Sequence, residues 1–391
     1  MPKLPHLIRA LLLSLLALAG ATLAAPADEE EELLEDEDLV ETEIVIDETL
    51  HTTTWNKVRF DQRFLTYSPA QVKAQWDLLN RGLLAEYPSA EYLRKRFEAF
   101  PELKGMTPKF TGDYQKLSDE IIQIWILFYR GDFQEARQRS NGYGPFAAIP
   151  GMFAQIIYAI YLADTQKTKH ALLTEVGRRI DEYDSIINKM KGQKKTYARD
   201  YVIYQLGNAY ATARVAEEAP IPIVLKRGYI GDIKGACDEI LGTMPDHPLG
   251  LAFRAGVDAG IMRRVGKAAG RMTYGAKQSV ATDYFEKSIA RVPDMAITHY
   301  EHGNAIIYIN KKRNLDKALQ EIEVASKMRP HFAMEALDAM YASKRFKEIR
   351  DFLTTNKSFR SFERARRAQQ RKTGENLTNV YLPPFLLSKA E

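Results

Sequence analysis

Residues 281–293 read Ala-Thr-Asp-Tyr-Phe-Glu-Lys-Ser-Ile-Ala-Arg-Val-Pro. Ala281, Phe285, Ser288 and Pro293 lie at steps of 4, 3 and 5. The same steps separate Ala318, Ile322, Ala325 and Pro330, and again Ala236, Ile240, Thr243 and Pro248. On a helix, steps of four and three fall on one face. A small residue there lets a second helix come close. The large residue one turn on fills the space beside it. Proline cannot donate the next backbone hydrogen bond, so it stops one helix and starts another. Three such phased segments predict stacked helical pairs.

The partner helices carry their own signature. Tyr204-Gln-Leu-Gly-Asn-Ala-Tyr210 recurs as Tyr300-Glu-His-Gly-Asn-Ala-Ile306, and Gly131-Asp-Phe-Gln-Glu-Ala136 parallels Gly231-Asp-Ile-Lys-Gly-Ala236. Together these residues resemble the tetratricopeptide repeat family. The likeness covers about 195–353 and extends weakly over 68–190. Pro248 to Pro293 is 45 residues and Pro293 to Pro330 is 37, longer than the family unit of about 34. The resemblance implies an all-α, right-handed superhelix of antiparallel helix pairs. Its concave groove would be lined by the first helix of each pair.

Outside the repeats the signals are also helical. Ser68-Pro69 and Pro88-Ser89 open helices, the first expected to run to about Glu86. Leu117 to Tyr129 and Phe133 to Arg139 follow, separated by the turn at Gly131-Asp132. Only Ile44-Val45-Ile46 and Trp55 to Phe64 read as extended. Ala147 to Ala163 is the most apolar stretch of the body; Pro150-Gly151 and Gln155 favour a buried, interrupted helix over a membrane span.

The N-terminus reads as a targeting segment. Lys3 and Arg9 precede the apolar run Ala10–Thr22, with cleavage expected after Ala24. Asp28 to Glu48 then holds 13 acids and no base, so residues 25–66 read as an acidic, largely disordered leader. The net charge of +4 hides this asymmetry: residues 49–391 carry 53 bases against 38 acids. The leader either stays solvated or lies across a basic face of its own chain. The expected organisation is a signal peptide at 1–24, the leader at 25–66, degenerate helical hairpins at 67–194, repeats at 195–355, and a basic capping helix and tail at 356–391. The single cysteine, Cys237, excludes an internal disulfide framework and reads as a small buried filler.

The groove face follows from the helical period. With Leu206-Gly207 in the packing, Tyr204, Asn208 and Ala211 share the opposite face. With Gly303 in the packing, Tyr300, Asn304 and Ile307 do. Tyrosine gives a rigid contact surface, and asparagine pins a peptide backbone through donor and acceptor together. The alternative places Asn as a cap or a bridge between neighbouring helices and Tyr as half-buried packing. Arg263 joins Tyr204, Asn208, Tyr300 and Asn304 as a partner-binding candidate. Arg360, Arg364, Arg367 and Arg371 form a stripe for an anionic partner, or the solvated face of a capping helix. His299 and His302 have metal-ligand spacing without further ligands, so no metal or cofactor is expected. The phosphate loop, nucleophile elbow and His-Glu-x-x-His motifs are absent from the sequence. The expected role is a non-enzymatic periplasmic or secreted scaffold. It would bind a protein or peptide of the cell envelope, with no nucleic acid and no transmembrane segment in the mature chain. The competing expectation is a small-molecule receptor associated with a transporter, with the inserts at 211–230 and 264–280 closing a cavity.

Overall fold

Helix follows helix from Pro69 to Thr373 in the computed structural model, which describes residues 53–310, 314–355, 358–373 and 377. Among these residues there is no strand. Trp55–Phe64, expected to be extended, has no sheet partner and ends in a short 3-10 turn, Gln62–Leu65. The signal segment, the acidic run and Ile44–Ile46 lie outside the described residues.

Helices of seven residues or more are α1 Ala90–Ala99, α2 Tyr114–Arg130, α3 Phe133–Arg139, α4 Gly144–Tyr161 and α5 Gln166–Asp181. Next come α6 Asp184–Gly192, α7 Ala198–Ala216, α8 Tyr229–Thr243, α9 Pro248–Val265 and α10 Lys267–Tyr274. The last five are α11 Gln278–Arg291, α12 Ala296–Asn310, α13 Leu315–Lys327, α14 Ala333–Leu353 and α15 Phe359–Thr373. Local chemistry sets their ends. Ser68 and Gln71 form a reciprocal capping box ahead of Pro69. That first helix stops at Ala74 rather than near Glu86, and a second short turn, Trp76–Leu79, follows. Gly131 closes α2 with φ +95°, a conformation that suits glycine.

The phased segments pack as helical pairs: α7 with α8, α9 with α11, and α12 with α13. Ala281, Phe285 and Ser288 are fully buried, as are Ala318, Ile322 and Ala325. The first unit is set one turn earlier than the spacing suggested. Ala236 and Thr243 are only half-buried, while Ile233, Cys237 and Ile240 are buried. Ile233, Cys237, Ile240 and Pro245 have the same 4, 3 and 5 steps. In this register each following helix begins three residues after its proline, at Pro248, Ala296 and Ala333. Two prolines within four residues, 245 and 248, had hidden the choice.

α4 is long and apolar enough to cross a membrane, and all 18 of its residues are buried within the fold. It runs unbroken through Pro150. Burying a helix that is apolar on every side outweighs the hydrogen bond that proline forgoes, which costs about 3 kcal/mol.

The array closes on itself. First helices touch in the order α2, α4, α7, α9, α12 and α14, and α14 touches α2 again. Phe332 packs on Phe128 and Tyr129 at this closure. Residues 67–83 then bridge the three proline turns. Tyr67 donates its hydroxyl proton to the His331 carbonyl. Arg81 reaches Asp294 at 3.1 Å and Glu335 at 2.6 Å. His247 caps α9 through Nδ1 and meets the Leu83 carbonyl through Nε2 at 3.2 Å. Burial pushes its imidazole down to about 4, so it is neutral at pH 7 and donates from Nε2.

The repeat glycines test the packing. A Cβ on Gly303 would lie 2.6 Å from Ile322 Cγ1 and 2.8 Å from the Ala318 backbone oxygen. A Cβ on Gly207 would meet only the flexible end of Met152. Glycine to alanine in a free helix gains about 1 kcal/mol. Gly303→Ala is therefore predicted to lower stability by about 2 kcal/mol or more in urea denaturation, with Gly207→Ala costing clearly less. Equal effects would mean that α12 and α13 do not meet at Gly303.

Candidate functional site

The inner face of the first helices carries polar side chains instead of a continuous apolar seam. α7 supplies Tyr210 and Arg214, α9 Arg263, α12 Tyr300, Glu301, Asn304 and Tyr308, and α14 Asp338, Tyr341 and Arg345. Three of these sets share one rule: a tyrosine is followed four residues later by a guanidinium or amide, as Tyr210/Arg214, Tyr300/Asn304 and Tyr341/Arg345. Four residues is just over one turn, so each pair faces the same way.

Arg345 is the centre, with its side chain 2% exposed. Its Nε donates to Asn304 Oδ1 at 3.2 Å, and Nη1 lies 2.8 Å from Glu363 Oε1. Asn304 in turn donates to the Tyr300 carbonyl at 3.1 Å. Glu363 belongs to α15, which thus docks on the inner face. Arg366, one turn on, lies 3.5 Å from Glu363 and faces Tyr308, Tyr341 and Tyr300. Burial pushes the Glu363 carboxyl up, but Arg345 and Arg366 outweigh it and hold it below the usual carboxylate range. Phe362 stacks on Phe352 at 4.8 Å and anchors the start of the helix.

Four further contacts extend the face. Arg214 donates to Glu301 at 2.7 Å and to the Tyr210 hydroxyl at 3.0 Å. Tyr161, from α4, donates to Asp338 at 2.6 Å. Arg263 lies 4.1 Å above the Tyr308 ring, a cation–π contact. Burial, and then the nearby Arg263, push Arg367 down to about 10.

The structure brings Tyr300, Asn304, Arg263 and Arg367 into this one cluster. Tyr300 and Asn304 turn toward Tyr341 and Arg345 of α14, and the face they share is covered rather than open. Tyr300 and Asn304 are buried, and Tyr300 packs on Tyr341 at 4.7 Å. Tyr204 is also buried, beside a cavity of about 10 Å³ lined with Met152, Gln155 and Tyr183. Asn208 is half-buried against Gly177 of α5. The arginine stripe divides. Arg364 is exposed and Arg367 is half-buried, because Phe362, Glu363 and Arg366 choose the inward face of α15. The side chains of Arg360 and Arg371 lie outside the described residues. Arg345, Glu363 and Arg214 escaped the sequence reading, although the shared four-residue step pointed to the two arginines.

His299 and His302 converge on Glu321, at 2.7 Å and 3.5 Å. Burial raises that carboxyl, but the two imidazoles outweigh it and bring it to about 2. Among the described residues no group of three or more His, Cys, Asp or Glu is placed to hold a metal ion. Cys237 is fully buried, its thiol pushed up to about 12 chiefly by burial. No known protein family, curated protein or solved structure matches this chain.

Asp338 gives the face a pH signature. Burial pushes its carboxyl up to about 7, against the stabilising Tyr161 hydrogen bond. The folded state keeps a proton that the unfolded chain releases near pH 4. Stability from this group is therefore complete below that pH and lost as pH rises through 7. The unfolding free energy should fall by about 2–3 kcal/mol between pH 5 and pH 7 from Asp338 alone. Asp338→Asn keeps an acceptor for Tyr161, so urea titrations of this variant should show a flatter pH profile. An unchanged slope would place the titration elsewhere.

Proposed function

We propose that the chain is a non-enzymatic TPR-like protein of the periplasm or the secreted fraction. It holds a protein or peptide partner on the inner face of a right-handed superhelix of helix pairs and serves as a scaffold in the cell envelope. One observation carries this reading: α15 lies on the inner arginine–tyrosine face as a single helical segment, fixed by the pairing of Glu363 with Arg345 and by Arg366 facing a tyrosine cluster. A face that receives one helix of its own chain has the dimensions and donors to receive another. The N-terminal segment 1–24, with Lys3, Arg9 and the apolar run to Thr22, supports export.

Site-specific photo-crosslinking in intact cells tests both halves. A photoreactive residue in place of Tyr308 on the inner face should yield a discrete envelope protein. The same residue at Lys287, exposed on α11, should not. Crosslinks from Lys287 alone would move the binding surface to the outer helices. A chain confined to the cytoplasm would end the envelope reading.

A further inference from the structure

α15 is a poor match for the face it covers. Its sequence, Phe359-Arg-Ser-Phe-Glu-Arg-Ala-Arg-Arg-Ala-Gln-Gln-Arg-Lys-Thr373, holds six bases and one acid. The face beneath it is itself basic. Glu301 is committed to Arg214, and Glu348 stands 4.0 Å from Arg345 at the edge. Glu363 is the one carboxylate within 3 Å of the Arg345 guanidinium among the described residues. Arg263 lies over the Tyr308 ring, with Arg367 near it as well as the carboxylates Glu301 and Glu363. Like charges at close range oppose docking.

α15 is anchored by one buried ion pair, Glu363 with Arg345, and by Phe359 and Phe362 packed on Phe352. α13 buries Ala318, Ile322 and Ala325 completely. α15 instead buries Glu363, with Phe359, Phe362 and Arg366 only half-covered. An ion pair taken out of water recovers little net free energy, and an isolated helix of 15 residues is marginal in water. The helix is therefore held by a set of contacts that another segment can supply.

Resting on the proposed partner-binding role, we infer that α15 is a displaceable internal ligand, and that the partner is an acidic helical segment of another protein. Its carboxylate side chain takes the place of Glu363 on Arg345. An aromatic or aliphatic residue beside it replaces Phe362 against Phe352, and further acids meet Arg263. The partner then gains the attractions that α15 lacks, and α15 is released as a basic segment.

The probe is a synthetic 15-residue peptide with the α15 sequence in which all six bases are replaced by glutamate, labelled for fluorescence anisotropy. It is titrated against the full-length protein. Glu363→Gln weakens the internal contact while leaving the rest of the chain intact, so the peptide should bind this variant at least tenfold more tightly than the wild type. Adding Arg345→Met should remove that gain, with circular dichroism confirming that helicity is retained. Equal binding to the wild type and Glu363→Gln, or binding that survives Arg345→Met, overturns the inference. Hydrogen exchange on the unaltered protein supplies a test without substitution. The amides of α15 should exchange at least a hundredfold faster than those of α13; protection equal to that of α13 makes α15 a permanent part of the core and overturns the inference. Either failure leaves the crosslinking result at Tyr308 standing, because a partner of other chemistry would still label that position.

Discussion

A guanidinium buried almost completely, that of Arg345, requires compensation from every side. Taking a charge out of water costs several kcal/mol unless it is paired and hydrogen-bonded. Asn304 on α12 accepts from the Arg345 Nε and Glu363 on α15 pairs with the guanidinium at 2.8 Å, which supplies part of that compensation; its Nη1 and Nη2 have no hydrogen-bond partner among the described residues. The last helix is thereby tied to the inside of the array. Tyr300, Tyr308 and Tyr341 follow from the same demand, because phenol rings give arginine side chains a contact surface that needs no further charge.

The closure of the array places that face where one helix covers it. Each repeat turns at a proline, and all three turns converge on residues 67–83. Arg81 crosses two of them through Asp294 and Glu335, and His247 fixes the third to Leu83. An open solenoid would leave these turns in solvent. Here they form a shared seat for the N-terminal segment, and α14 meets α2 beside it. Stability and site geometry thus depend on the same long-range contacts, although those contacts join residues more than 150 positions apart in sequence.

The helical class was legible in the sequence because steps of three and four encode burial directly. Ala281–Phe285–Ser288 and Ala318–Ile322–Ala325 are buried as their spacing requires. The register of the first unit was not legible, since Pro245 and Pro248 both terminate a helix plausibly and only packing distinguishes Cys237 from Ala236. That Tyr300 and Asn304 share one face of α12 was legible. Their burial was not, because periodicity within one helix says nothing about which distant segment covers it. The stripe through Arg364 and Arg367 shows the same limit. Spacing put both on one face, whereas Phe362 and Glu363 rotate α15 so that one arginine is exposed and the other half-covered.

The contact between α14 and α15 holds the last helix on the inner face, and a double-mutant cycle measures it most directly. Stability would be determined for the wild type, Arg345→Met, Glu363→Gln and the double variant by urea denaturation. Docking of α15 through this pair predicts a coupling energy of about 2 kcal/mol, since either single change leaves a buried charge unpaired. A coupling of zero would mean that Glu363 does not meet Arg345 in solution, and the inner face would then be covered in some other way.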